Sequence, residues 1–448
     1  MTVFNDAHGL AVTCASQVAL DAYDHAIDGY LKNRNDTSQR VKACITADGA
    51  FALALTLRGL FAMLAFKREN LDYARKCLGE TERAAANATP REKMHAGALA
   101  AWVGGDLDRA MTIWEDICAQ WPRDVLAFRM HHFIGFWLGR PEAMLAQVER
   151  ILPAWSDASA AYPSILACRA FAHEECGSYV TAENAGRQAI ALDPGDIWAA
   201  HAIAHVLEMQ GRRGEGLLFL RAQESHWAGG NNLLHHLWWH RALFHLERRE
   251  FEEALALYDE RFRNLASPLT LQMPDLYIDM QNAVSMLWRF ERCGLDVGGR
   301  WSELAEKASA RAGDCSNPFT LPHFMLALTR MQQFDAAQRN IEGMREFVER
   351  EQSSLAPAVR EAALPICEAI LADARGDVRA ALDLMRPALG VMHRLGGSHA
   401  QQDLLEQLFA DYATRAQSKG DLALICERVR GRRPLALADM IGWRDVNL

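Results

Sequence analysis

The chain has no paired Cys-x-x-Cys, although ten cysteines are scattered from Cys14 to Cys426. A protein of 448 residues needs no disulfide framework to hold a core, so these read as reduced core thiols and the expected compartment is the cytoplasm. Positive charge is in deficit: 48 Lys and Arg against 57 Asp and Glu give a net charge of −9. That balance gives no electrostatic reason to expect a nucleic-acid partner, whose binding relies on clustered Lys and Arg to displace counterions from a phosphate backbone. The start, Met1-Thr-Val-Phe-Asn-Asp-Ala-His, has no basic segment ahead of an apolar run, which argues against a secretory leader. The most apolar stretch, Ala50 to Phe66, is interrupted by Arg58 and is short for a bilayer, so no membrane span is expected.

Three signatures that would name a reaction are also missing: a nucleophile elbow, a phosphate-cradling glycine loop and a dinucleotide fingerprint. No run of alternating β-branched and polar residues is bounded by hairpin turns, so the expectation is helices throughout. Proline is sparse, at 14 residues, and half the chain is hydrophobic. That is enough for a large core; a compact protein of this length would divide into two or three domains, whereas a repeat array would not need to.

What is present is a repeat. Gly105-Asp-Leu-Asp-Arg-Ala, Gly139-Arg-Pro-Glu-Ala, Gly177-Ser-Tyr-Val-Thr-Ala and Gly211-Arg-Arg-Gly-Glu-Gly follow one another at intervals of 34, 38 and 34 residues. This is the tetratricopeptide period. The glycine ends one helix, and the small residue a few positions on lets the next pack closely against it. Further units start near Glu250, Gln333, Gly376 and Gly420, and the Asp-bearing loops at 121–124 and 193–196 cap the helices that follow. The stretch Ala266 to Asp275 reads as a bend in the array, and Gly294 to Trp301 as a loop. The resulting fold is all-α: a right-handed α-solenoid of tetratricopeptide-like helical hairpins, able to curl into a near-closed superhelix. It divides into an N-terminal helical region (1–95), hairpins carrying a histidine cluster (96–265), and C-terminal hairpins of the same array (266–448).

Seven of the 16 histidines fall between Asp196 and Glu247. His201, His205 and Glu208 are spaced i, i+4, i+7 and share a helix face; His236, His240 and Glu247 do the same one unit later. First helices of successive hairpins lie side by side on the concave wall, so the two His-x-x-x-His pairs should meet. Three readings compete. His201, His205, His236 and His240 suit zinc or another divalent ion, although the pattern is not the zincin signature. The same four with Glu208 suit metal-free acid–base catalysis or binding of a polar ligand. Alternatively the histidines hydrogen-bond one another in a structural seam. Trp198 and Trp239, with Trp227 and Trp238, either wall a pocket or pack as hairpin core. Gly229-Gly230-Asn231-Asn232 is either a loop over the concave face, with Asn232 reaching ligand, or a glycine stop followed by an Asn cap.

The segments from Asp196 to Arg212, Asn232 to Glu247, Ser285 to Glu291 and Gly396 to Asp403 resemble the tetratricopeptide repeat protein 38 family, and the resemblance runs from about Ala96 to Pro434. It implies a divergent tetratricopeptide-like fold in the cytoplasm and no particular reaction. It also draws His131, Glu175, Asp279, His323, His399 and Asp403 into consideration, because they stand in family-like segments and would line the same cavity if the array curls tightly. The expected function is therefore binding of a small molecule or peptide end in a concave His/Trp-lined pocket. A hydrolase or lyase using the histidine cluster is the alternative, and a protein-interaction scaffold the third reading. Apolar residues on the outer helices leave room for a homodimer.

Overall fold

A computed structural model describes residues 2–350, 352–433 and 440–443. Among these residues the chain is an α-solenoid of tetratricopeptide-like hairpins. One departure comes first: Thr2–Asn5 and Ala11–Cys14 form an antiparallel β-hairpin. The expectation of helices alone missed it because its strands have four residues each, too few for a period-two pattern to register. It is tied down by the first turn of the Pro90–Val103 helix, where Arg91 donates to Ala11 O and the Glu92 carboxylate accepts from Thr13 N.

The four glycines that set the sequence period all take the left-handed conformation at the turn within a hairpin, Gly105, Gly139, Gly177 and Gly211. The same conformation recurs at Gly294 and Gly376 and, where no glycine marks it, at Asn33, Phe66, Arg249, Gln332 and Gln417. The N-terminal region is thus built of the same hairpins, Gln17–Leu31 with Thr37–Ala47 and Ala52–Leu64 with Leu71–Ala85. The Ile197–Met209 first helix is buried on almost every face, whereas its partner Arg213–Gln223 buries little. That asymmetry is what stacking requires: first helices form the inner wall and second helices face solvent.

The superhelix closes on itself. Arg34 makes an antiparallel bridge with Gly230, flanked by Asn35 N to Gly229 O and Asn231 N to Asn33 O. One hairpin on, Lys67 pairs with Asp275 and Arg68 donates to Gly313 O. Next, Ser354 N donates to Gly105 O, and Tyr179 Oη donates to Arg432 O. Each hairpin therefore rests on one that lies 194 to 253 residues later, which is one superhelical turn. The His399–Arg415 helix runs inside the curl, packed against the Ile197–Met209 and Tyr277–Arg292 helices and buried nearly all round. It is anchored there by Arg289 on Asp403, at 3.1 Å, and by Gln401 on Gln281. Gly396 and Gly397, at φ 75° and 76°, turn the chain inward, and Ser398 with Gln401 forms a capping box.

Two smaller expectations change. The Ala266 to Asp275 stretch is a short helix, Pro268–Gln272, capped by Ser267, rather than a plain bend. In the Gly229 to Asn232 segment the Asn cap belongs to Asn231, whose Oδ1 accepts from Leu233 N, while the backbone there pairs with the Arg34 loop. Pro434, where the family resemblance ends, lies outside the described residues. No helix among the described residues is long and apolar enough to cross a membrane.

Candidate functional site: a histidine tetrad beneath a cavity

The Ile197–Met209 helix is set by Asp196, fully buried, whose carboxyl accepts from Trp198 N and Ala199 N and is held by Ser164 Oγ at 3.0 Å. From that fixed start, His201 and His205 point toward His236 and His240 of the neighbouring Leu233–Glu247 helix. Ring centroids across the four lie 4.4 to 6.3 Å apart. One potential ligand nitrogen from each lies within 4.8 Å of the others. His205 Nε2 is 2.9 Å from His201 Nε2. Burial, and then the neighbouring imidazoles, hold His201, His205 and His236 well below the ordinary histidine range, so these rings are neutral at pH 7.

The outer nitrogens are braced. Nδ1 of His240 donates to Glu208 Oε2 at 2.7 Å, and Nδ1 of His236 to Asn282 Oδ1 at 2.8 Å. Nδ1 of His205 faces Glu174 Oε2 at 3.6 Å. Glu247, expected beside His240, turns instead to Arg213 and to Ile441 N, because it lies about two turns past His240 on its helix.

His201 and His236 form the floor of a cavity of about 310 Å³. Its walls come from the first helices (Phe133, Phe136, Trp137, Trp198, Tyr277), from the N-terminal hairpins (Tyr30, Phe61, Leu64) and from Leu269 and Met273 of the short helix. Its polar groups, besides the two histidines, are Asn33, Arg34, Asn35, Thr37, Ser38, Asn231, Asn232, Gln272, Gln401 and Arg129. Arg129 is the unusual one. Its guanidinium is buried, lies over the Trp198 ring at 4.6 Å and donates to Cys168 Sγ. Among the described residues no carboxylate comes within 4.0 Å of it, whereas the buried Arg91 and Arg263 both have one.

A second polar cluster adjoins the first. Glu174, Glu175 and His399 bring potential ligand atoms within 4.8 Å of one another. Neither oxygen of Glu174 has a hydrogen-bond partner among protein atoms. Burial and the adjacent Glu175 carboxyl push Glu174 well above the usual carboxylate range, and burial pushes Glu175 to about 7. Burial, and then Arg432, Arg433 and Arg428, hold His399 down to about 3. Glu175 and His399 line a separate cavity of about 340 Å³ with Arg428 and Arg432.

The remaining expected residues divide clearly. Trp198 and Asn232 line the first cavity, Asn232 also donating to Asp279 at 2.8 Å. Asp279 itself is fully buried and holds His235 and Asn232 from behind, so it positions rather than lines. Trp239 stacks flat on His236, with planes 12° apart, and reaches no cavity described here. His323 donates Nδ1 to Phe319 O within its own helix, a core role. His131 lies away from both cavities, among charges of the outer helices, Glu115, Arg150 and Arg140. Its neighbour His132 faces Trp198 instead. Asp403 anchors the inner helix through Arg289.

Sequence reasoning missed Arg129, Glu174 and Asn282. Arg129 had a legible signal, a single charge in the apolar run Val125 to Ile134. Glu174 looked like an ordinary helix-end acid, and only the inward path of the last hairpin buries it.

Fold and site together define an array of helical hairpins wound around an internal polar seam and a small cavity. No family model matches the chain. Among solved structures it is similar to a human IFIT1 dimer with PPP-AAAA, at 13% identity, covering 96% of this chain and 94% of that one with a TM-score of 0.43. It is also similar to yeast Tom70, at 11% identity, 92% and 84% coverage and a TM-score of 0.39. The P58(IPK) TPR domain matches at 14% identity, 80% and 89% coverage and a TM-score of 0.22. At these scores the likenesses carry no argument about the site.

Proposed function

We propose that this protein, whose motifs resemble those of the tetratricopeptide repeat protein 38 family, binds a small organic acid in the cavity above the histidine tetrad. The observation that carries the reading is Arg129. A buried guanidinium without a carboxylate partner is costly, and a ligand carboxylate would supply the missing bidentate partner. The apolar and aromatic walls suit the rest of such a molecule, and about 310 Å³ is at the small end of the usual range for ligand pockets. Asn232 and Gln401 offer further hydrogen bonds to its polar end. A scaffold role finds little support, since the axial space that a partner chain would enter is filled by the His399–Arg415 helix.

The test is a thermal-shift series of small aryl and alkyl carboxylates against their matched amides and amines. Carboxylates should raise the melting temperature of the wild type and leave Arg129→Met unmoved. A series in which amines or amides do as well, or in which Arg129→Met responds fully, sinks the reading.

A second reading is a hydrolase or lyase. The Glu174–Glu175 pair favours it: two adjacent buried carboxyls, one near 7, can give and take a proton at working pH. Turnover of a panel ester or amide that is lost in Glu175→Gln would select this reading over simple binding.

A further inference from the structure

The tetrad is built as a metal centre is built, from the outer layer inward. In metal sites the ligating imidazole gives its second nitrogen to a carboxylate or amide oxygen, which fixes the tautomer and aims the free lone pair at the ion. Here two of the four rings have that arrangement, His240 on Glu208 at 2.7 Å and His236 on Asn282 at 2.8 Å, while His205 Nδ1 faces Glu174 at 3.6 Å, beyond hydrogen-bond distance. The Nε2 atoms of His240 and His236 are thereby left to the centre. Buried His240 Nε2 has no hydrogen-bond partner there. A seam of mutually bonded histidines would be expected to satisfy that atom; instead the one bond inside the group joins His201 to His205.

We infer that His201, His205, His236 and His240 bind one divalent transition-metal ion of the zinc class through their Nε2 atoms. Imidazole is a borderline ligand suited to zinc, nickel and copper, and a wholly nitrogenous, buried set excludes magnesium and calcium. Glu208 in the outer layer offsets part of the ion's charge. The spacing requires adjustment: nitrogens around a tetrahedral zinc stand ~3.3 Å apart, so the His201 to His205 contact of 2.9 Å must open by a few tenths of an ångström, and pairs that lie as far as 4.8 Å apart must draw in. His201 and His236 border the cavity, so the ion would stand at the inner end of the ligand pocket. The inference does not rest on the carboxylate reading, since Arg129 touches none of the four rings.

The experiment uses the full, tag-free chain stripped with a chelator and dialysed, then titrated with zinc sulfate by calorimetry, with cobalt(II) absorption as a spectroscopic readout. One equivalent should bind the wild type. His205→Gln and His240→Gln should weaken binding at least a hundredfold and abolish the cobalt bands, while circular dichroism stays helical. If either variant fails to fold, Glu208→Gln keeps every imidazole and should weaken binding by about 10- to 100-fold. Arg129→Met should bind metal as the wild type does, so failure of the ligand reading and failure of the metal reading are separable. No binding of zinc, cobalt, nickel or copper to the stripped wild type at micromolar metal would overturn the inference. Stoichiometric binding undiminished in both histidine variants would do the same.

Discussion

Glu174 Oε2 lies 3.6 Å from His205 Nδ1, and neither side chain is exposed at all. Through this contact the two polar clusters become one seam, running from the tetrad through Glu174 and Glu175 to His399 and the second cavity. Its members come from four first helices: Tyr162–Glu175, Ile197–Met209 and Leu233–Glu247 of successive hairpins, and His399–Arg415 far along the chain. The seam exists because the array curls tightly enough to receive its own last hairpin.

Glu175 should make stability pH-dependent in a defined direction. Its folded-state value, about 7, is raised above the ordinary 4.5, so the folded protein holds a proton that the unfolded chain releases. That contribution is complete below pH 4.5 and is lost as pH rises through 7. Glu175→Gln cannot titrate. Urea denaturation should find the variant no more stable than wild type at pH 5, and more stable above pH 7 by up to about 3 kcal/mol. Curves that stay parallel from pH 5 to 8 would refute the shift.

Removing the Arg129 charge should not harm the fold. The Met side chain keeps the apolar stem and its packing against Trp198, while the desolvation cost of an unpaired cation disappears. In the absence of ligand, Arg129→Met is expected to raise unfolding free energy by about 1–2 kcal/mol. A loss of similar size would mean that the bond to Cys168 and the ring contact hold the guanidinium for structural reasons.

Asp196 should matter to the tetrad without touching it. Asp196→Ala removes the cap from the Ile197–Met209 helix and leaves Ser164 Oγ unpartnered, at a cost of about 2 kcal/mol. Because His201 is only five residues past the cap, tryptophan fluorescence from Trp198 should shift as well. A change confined to stability would show that neighbouring helices, rather than the cap, position the first turn.

The parts of this structure that were legible in sequence are those set by local rules. The turns at Gly105, Gly139, Gly177 and Gly211 could be read because glycine is favoured where φ is positive, and the meeting of His201, His205, His236 and His240 follows from helical spacing plus adjacent hairpins. Turns at Arg249, Gln332 and Gln417 could be placed only through the units that start near Glu250, Gln333 and Gly420, and those at Asn33 and Phe66 were hidden, since the same φ is imposed there on residues that do not advertise it. What could not be read was which first helix fills the axis. Glu174 and the cavity wall from Tyr30 and Phe61 depend on contacts about 200 residues apart, and periodicity carries no information about superhelical pitch.

Closure itself can be tested with a pair of glycines that share a conformation and differ in surroundings. Gly139 and Gly177 have φ of 64° and 76°, so alanine at either incurs the same left-handed strain, about 1 kcal/mol. A Cβ at Gly177 meets nothing within 4 Å, whereas one at Gly139 would stand 1.8 Å from His393 O of the next superhelical turn. Gly177→Ala should therefore cost about 1 kcal/mol and leave the outline unchanged. Gly139→Ala should cost several times as much, or part the turns, visible as faster hydrogen exchange in the His399–Arg415 helix and a larger radius of gyration in solution scattering. Equal, small effects from both would mean that the contact between turns gives way easily and that the inner helix is held by its own side chains, with Arg289 on Asp403 as the first pair to remove.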